Sequence, residues 1–254
     1  MSEKYWVPAI ERTNLVIGLI AKEPGKYRLI DLSKALNINK STMFSLLNTL
    51  ETLGWIIKDH GDTYTLGPTL GGYSAAYFRK FNLLELFHKE AAKSVKVIDE
   101  TIQMGTLQGT NIVYLAKQEN DSRVRLMSDP GMQLPAHATA IGKIQLTQYS
   151  YDEFQKLYAN KDLEQCTPYT VKEKEVLWQH IEAAKVAGYT CEEQEAALGF
   201  NCVAAPIYNH ENKLIYGISF TMMENNWETK KQKAIEEIID LAARLSTLAG
   251  HVSR

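Results

Sequence analysis

Ile30-Asp31-Leu32-Ser33-Lys34-Ala35-Leu36, Asn37-Ile38-Asn39, Lys40-Ser41-Thr42-Met43-Phe44-Ser45-Leu46-Leu47-Asn48-Thr49-Leu50-Glu51-Thr52-Leu53 is the most informative run near the N-terminus. Its first seven residues read as a short helix and the next three as a turn. Lys40–Leu53 reads as a second helix, with Met43, Leu46, Leu47, Leu50 and Leu53 on one side. Asn39 suits an N-cap and Gly54 a C-terminal stop. Upstream, Glu11–Ala21 carries Leu15, Val16, Leu19 and Ile20 on one helical face before Pro24-Gly25 ends it. Downstream, Trp55–Lys58 and Thr63–Leu66 are β-branched or aromatic runs flanking the turn Asp59-His60-Gly61-Asp62, which predicts a hairpin. Three helices and a two-stranded ribbon, in that order, make a winged helix-turn-helix. The polar side of the second helix of the pair presents Lys40, Ser41, Thr42, Ser45, Asn48 and Thr49, side chains suited to phosphates and base edges in a major groove. Lys58 and His60 fall in or near the wing. An isolated amphipathic helix more often shows such a face only to solvent. The preceding short helix, the tight turn and the ribbon tip the reading toward DNA.

Composition sets the outer bounds. The 254 residues, 45% hydrophobic and 23% charged, supply a real core and allow two modest domains. Mean hydropathy is −0.26, and no apolar run approaches the roughly 18 residues of a bilayer span. Met1–Pro8 is mixed and carries Glu3, so it does not read as a secretion signal. Three cysteines without CxxC spacing argue against a disulfide framework and for a reducing, cytoplasmic setting. The net charge is −2, and eight basic against seven acidic residues leave Met1–Gly67 at only +1. Charge by itself therefore neither supports nor excludes DNA.

Gly67–Gly72 is expected to separate this module from the rest, with helical pattern in Tyr73–Lys80 and Leu83–Ile98. These form a connector also suited to pairing two subunits, which would match symmetric half-sites in DNA. Beyond Glu100 the period changes. Thr101–Leu107 and Ile112–Lys117 read as a hairpin, with Val124–Met127, Tyr189–Cys191, Val203–Tyr208 and Lys213–Thr221 as further strands. Ala138–Thr147, Asp152–Tyr158, Val171–Ala187 and Lys230–Gly250 read as helices. The expectation is an α+β fold, the second domain holding an antiparallel sheet.

Three separated segments carry a family resemblance. They are Leu32–Leu36 through Lys40-Ser41-Thr42 to Leu50, Gly131–Lys143, and Gly188–Glu195 with Leu198–Tyr208. In order and spacing they resemble the hallmark segments of the IclR family of bacterial transcriptional regulators, over nearly the whole chain. The resemblance implies a winged helix-turn-helix at 1–67, a linker helix at 68–82 and a GAF-like effector-binding domain at 83–254. It also implies a DNA-binding regulator, read here as a repressor, working as a homodimer or tetramer without enzymatic activity or cofactor. The family's effector pocket falls here on Leu126, Ala140, Ile141, Glu192, Phe200, Cys202, Ser219 and Thr221. Two positions depart from the family pattern: Glu192 stands for the usual aspartate or serine, and Ser45 for the usual arginine of the recognition helix.

The residue chemistry suggests how that pocket divides its work. Thr139 can cap the helix beginning after Pro135, whose free amides suit a carboxylate or phosphate. Small residues there also serve close packing, and without the resemblance that is the simpler meaning. Leu126 and Phe200 supply apolar wall. Ser219 and Thr221, two apart on a strand, point the same way; Glu192 accepts from hydroxyls. The expected effector is a small organic or sugar acid; Arg123 or Arg125 could assist its charge, but alternate residues on a strand near a surface turn are usually just solvated. His137 with Cys191 and Cys202 raises two weaker readings, a cysteine nucleophile and a zinc site, but oxyanion motif and ligand-pair spacing are both missing. Met222-Met223, Tyr27, Tyr64 and Tyr77 read as packing. The alternative function is a small-molecule sensor or enzyme whose winged helix meets only proteins.

Overall fold

The computed structural model describes residues 6–79, 82–120 and 128–252, the last three of the first stretch by backbone alone. The chain divides into two compact units, Met1–Phe81 and Asn82–Arg254.

In the first unit α1 (Pro8–Lys22), α2 (Leu29–Ala35) and α3 (Lys40–Thr52) precede β1 (Ile56–Lys58), β2 (Tyr64–Leu66) and α4 (Pro68–Arg79). Val16, Ile20, Leu32, Met43, Leu47, Leu50, Ile56 and Tyr64 form its core. The Asn39 side chain accepts from the Thr42 amide at 2.8 Å, so α3 starts where its cap is written. Gly54 ends it at φ +68°, a conformation that favours glycine. The ribbon is antiparallel, Ile57 opposite Thr65.

The glycines of Gly67–Gly72 read as a separator, but α4 starts at Pro68, where the resemblance puts the start of the linker helix. Pro68 opens α4 at the position that tolerates proline, and Thr69 fastens the start by donating to the Leu53 carbonyl at 3.1 Å. That clasp, from a partner sixteen residues back, helps a helix with two glycines, each about 1 kcal/mol worse than alanine.

In the second unit α5 (Leu83–Ile98) leads to β3 (Thr101–Gln108), β4 (Asn111–Gln118) and β5 (Gln133–Pro135). After a 3-10 turn at Ala136–Ala138 come α6 (Ala140–Leu146), α7 (Tyr151–Leu157), α8 (Lys174–Ala187), β6 (Thr190–Glu193), β7 (Phe200–Tyr208), β8 (Leu214–Met223) and α9 (Glu224–Leu248). The described strands form one antiparallel sheet in the order β5-β4-β3-β8-β7-β6. The expected strand Val124–Met127, and with it Leu126, Arg123 and Arg125, lies outside the described residues, as does the side chain of Tyr77.

The sheet has two unlike faces. Ile102, Met104, Val203, Ala205, Ile218 and Phe220 are all buried on one. Glu193 belongs to that side and holds Trp227 and Lys231 of α9 at 3.1 and 2.8 Å. The other face carries Gln103, Gly105, Gly217, Ser219, Thr221, Ala204, Cys202 and Glu192, and there α6 lies. Gly105 and Gly217 are direct cross-strand partners. A Cβ on Gly217 would come within 3.0 Å of the Ile141 and Ile144 methyls, so the glycine pair makes the bed on which α6 rests.

Of the element boundaries that differ from the periodicity, three have a visible cause. Helix α9 begins at Glu224 rather than Lys230, because Trp227 is buried and anchors an otherwise polar first turn. Helix α8 begins at Lys174 rather than Val171; the Val171 amide donates instead to the Glu195 carboxylate at 3.4 Å. Ala138 closes a 3-10 turn, and Thr139 caps α6 by accepting from the Gly142 amide at 3.0 Å.

Candidate functional sites

Helix α3 turns Met43, Leu47 and Leu50 inward, leaving Lys40, Ser41, Ser45 and Asn48 exposed and Thr42 half-buried. Several of its hydroxyls are engaged locally. Ser41 donates to the Asn39 side chain at 2.9 Å, Ser45 to the Ser41 carbonyl at 3.1 Å and Thr49 to the Ser45 carbonyl at 2.8 Å. In the ribbon, exposed Lys58 is paired with Asp62 at 2.7 Å, while His60 sits in the exposed turn. Arg28 forms an isolated bridge to Thr63, which brings a further basic residue to the wing. The exposed phenyl ring of Phe44 also belongs to this surface. Neither was singled out from the sequence, where Phe44 reads as one more apolar residue of a helix.

In the second unit, cross-strand register collects the polar residues. Glu192 lies opposite Cys202 and Cys202 opposite Thr221; Ser219 lies opposite both Ala204 and Gln103. The Gln103 carbonyl accepts from Ser219 at 3.2 Å and from Thr221 at 2.7 Å, and its amide donates to Ser128 at 2.6 Å. Cys202 Sγ lies 3.2 Å from Thr221 Oγ1, with the Glu192 carboxyl also in hydrogen-bonding reach. Gln103 is thus the hub of the row, and sequence reasoning passed over it. The alternation Thr101-Ile102-Gln103-Met104 was the available signal.

Glu192 is buried, and desolvation pushes its carboxyl up to about 7, although the Cys202 thiol and the Glu195 amide, the latter at 2.8 Å, both favour the anion. Lys143 is wholly buried, paired with Glu195 and 3.2 Å from His180. Glu195 is fastened in turn, its backbone carbonyl accepting from Thr170 at 2.7 Å. Buried ion pairs with extra hydrogen bonds fix geometry more than they add stability. This one ties α6 to the segment after β6.

At the start of α6 the side chain of Ile141 packs on the glycine bed. Ala140 and Ile141 are buried, yet no described residue accepts a hydrogen bond from either amide. Gly142 is required by contact: a Cβ there would sit 2.0 Å from the Ala136 carbonyl oxygen. Phe200 is half-buried and lies on the Cys202 face of β7.

Among the described residues His137 makes no hydrogen bond to Cys191 or Cys202. Its Nε2 lies 2.8 Å from the Glu164 carbonyl, so that nitrogen carries the proton and donates, and burial lowers its pKa. Burial pushes the Cys191 thiol up to about 11 and Cys202 well above its ordinary value, opposite to what a thiolate nucleophile needs. Among the described residues no three of His, Cys, Asp and Glu are grouped to hold a metal, and no helix is long and apolar enough to cross a membrane.

Comparison with known proteins bears on both sites. The IclR helix-turn-helix domain model matches residues 9–60, and the bacterial transcriptional regulator IclR C-terminal model matches residues 75–247. The chain belongs to the IclR family of bacterial transcriptional regulators. As such it is a DNA-binding transcriptional regulator with an effector-binding C-terminal domain. Its relatives carry regulator names too. The HTH-type transcriptional regulator XynR of Escherichia coli K12 is 27% identical over 218 residues, covering 85% of this chain and 86% of that protein. The HTH-type transcriptional repressor AllR of the same organism is 26% identical over 244 residues, covering 95% and 90%. Among solved structures, the Agobacterium tumefaciens repressor BlcR has the same fold, with a TM-score of 0.81 at 22% identity, covering 99% of this chain and all of that one. The α+β architecture expected from the sequence, with its winged helix-turn-helix and antiparallel regulatory sheet, is that of the IclR family.

Proposed function

We propose that the protein is a cytoplasmic repressor whose regulatory unit binds a small hydroxylated organic acid. In this reading residues 1–67 bind DNA, 68–82 link, and 83–254 sense the effector as part of a homodimer or tetramer. The repressor sign follows AllR, a relative named for repression. Lys40, Ser41, Thr42, Ser45 and Asn48 face the major groove, with Lys58 and His60 at the wing. Lys58 shares its charge there with Asp62.

One observation carries the effector class: two amides of buried residues that have no acceptor among the described residues, on the face of the sheet that holds a row of polar side chains. Buried N–H groups are almost always paired, so a pair left open suits the oxygens of an acid. Ser219 and Thr221 spend their protons on Gln103 and therefore turn acceptor lone pairs outward. Acceptors of that kind call for hydroxyls on the ligand. Ala140 and Ile141 thus hold the acid through their amides, Ser219, Thr221 and Glu192 take the hydroxyls, and Phe200, Cys202 and Leu126 supply wall.

A thermal-shift panel tests this, since a ligand at 100 times its Kd adds about 2.7 kcal/mol of stability. Hydroxy and sugar acids should raise the melting temperature; a response confined to cationic or purely apolar compounds overturns the reading. DNA from upstream of the gene, followed by fluorescence anisotropy at low and moderate salt, tests the other half. The alternative of a winged helix that meets only proteins predicts no binding at either salt.

A further inference from the structure

We propose that Phe44 is a specificity-determining residue that reads the C5-methyl group of a thymine in the operator. The inference rests on α3 being the helix that enters the major groove.

Phe44 is 63% exposed, while the apolar side of the same helix, Met43, Leu47 and Leu50, is at most 2% exposed. Its ring is absent from the core of the first unit, which is complete without it. On the helix Phe44 follows Lys40 by four residues and precedes Asn48 by four, so the three line one edge of the exposed surface. Between them, Ser41 and Ser45 donate to Asn39 and to the helix backbone. Thr49 and Thr52 likewise donate to the carbonyls of Ser45 and Asn48. Much of the hydroxyl capacity of this face is therefore spent within the helix. Lys40, Asn48 and Phe44 are left as the side chains that extend from it.

A phenyl ring makes no conventional hydrogen bond to a base edge. In the major groove thymine alone among the four bases presents an apolar group, its C5-methyl, and contact with that methyl is how an apolar side chain discriminates. The ring is open to solvent and so free to meet a base edge. The occupant of this apolar spot is thus DNA, continuous with the polar surface around it.

The experiment uses the full-length protein and a footprinted operator. Each thymine is replaced in turn by deoxyuridine, which removes the methyl and keeps every hydrogen-bonding group. Anisotropy at fixed salt then compares wild type, Phe44→Ala and Phe44→Leu. Burial of one methyl-sized group corresponds to about fourfold in affinity. Wild type should lose about that much at one thymine position per half-site. Phe44→Ala should bind the thymine and uracil duplexes alike, and Phe44→Leu should keep part of the preference. Phe44 is exposed, so both variants should melt as wild type does. A wild type indifferent to every replacement overturns the proposal, and so does a Phe44→Ala protein that keeps the full uracil penalty. If Phe44→Ala binds no DNA, the wild-type series and Phe44→Leu decide by the same criteria. Failure of wild type to bind any operator would instead overturn the assignment of α3 as the reading helix.

Discussion

Glu192 keeps a carboxyl in the interior of the regulatory unit. Its carboxyl is carried deep enough for burial to raise its pKa from 4.5 to about 7. A group whose pKa is higher in the folded state stabilises the fold most at low pH, and that contribution is lost as pH rises through about 7. Removing the charge should therefore matter most in alkali. Between pH 4.5 and 8, the stability of Glu192→Gln relative to wild type should rise by about 3 kcal/mol in urea unfolding. A difference that stays flat with pH would mean that the carboxyl is not desolvated. On the other unit, Lys40 and Asn48 should part company. Lys40→Ala is expected to weaken operator and random DNA alike and to flatten the salt dependence. Asn48→Ala should mainly cost discrimination, by about 1–3 kcal/mol. Equal losses on both DNAs for Asn48→Ala, read by anisotropy, would remove it from the reading face.

Helix α6 is the element on which the regulatory unit turns. It is seven residues long, too short to be stable alone, and owes its place to three tertiary devices. Gly105 and Gly217 provide a flat bed, Gly142 allows the Ala136 backbone to pass, and the Lys143–Glu195 pair locks the far side. Gly142→Ala should cost well over 1 kcal/mol, because backbone rather than a flexible side chain stands in the way of the new methyl. Effector response should fall with it. Lys143→Met should cost about 3–5 kcal/mol by leaving Glu195 buried and unpaired. Pairing Lys143→Met with Glu195→Gln should recover much of that loss. A double variant as weak as the sum of the two single ones, in chemical denaturation, would mean that the two side chains do not act together.

At the scale of the whole molecule, two units with separate cores must exchange free energy if an effector is to govern DNA binding. The effector can shift DNA affinity only by its preference for one state of the protein over another, typically about 1–3 kcal/mol or roughly 5–150-fold. Reciprocity then gives a strict test. Operator DNA must change effector affinity by the same factor by which effector changes operator affinity, and for a repressor that is induced both must fall. Calorimetric titration with and without operator measures one side of the cycle and anisotropy the other. Unequal factors would mean that the measured ligand is not acting through this equilibrium.

What the sequence determined was local and periodic. Helix positions, caps, the Gly54 stop and the wing hairpin follow from spacings of a few residues, although Leu15 and Leu53, expected on the apolar faces, are 47% and 51% exposed. The same local logic paired Ser219 with Thr221 on one side of a strand. It also missed wherever a distant partner outweighed local preference, as at the Trp227 anchor of α9 and the Thr69 clasp of α4. Only the tertiary structure decided that Gln103 lies beneath Thr221, 118 residues away along the chain, that Lys143 spends its charge on Glu195, and that Phe44 is left in water. The physical reason is that cross-strand register and the fit of α6 on its glycine bed are set by packing between segments far apart, which a one-dimensional pattern does not encode.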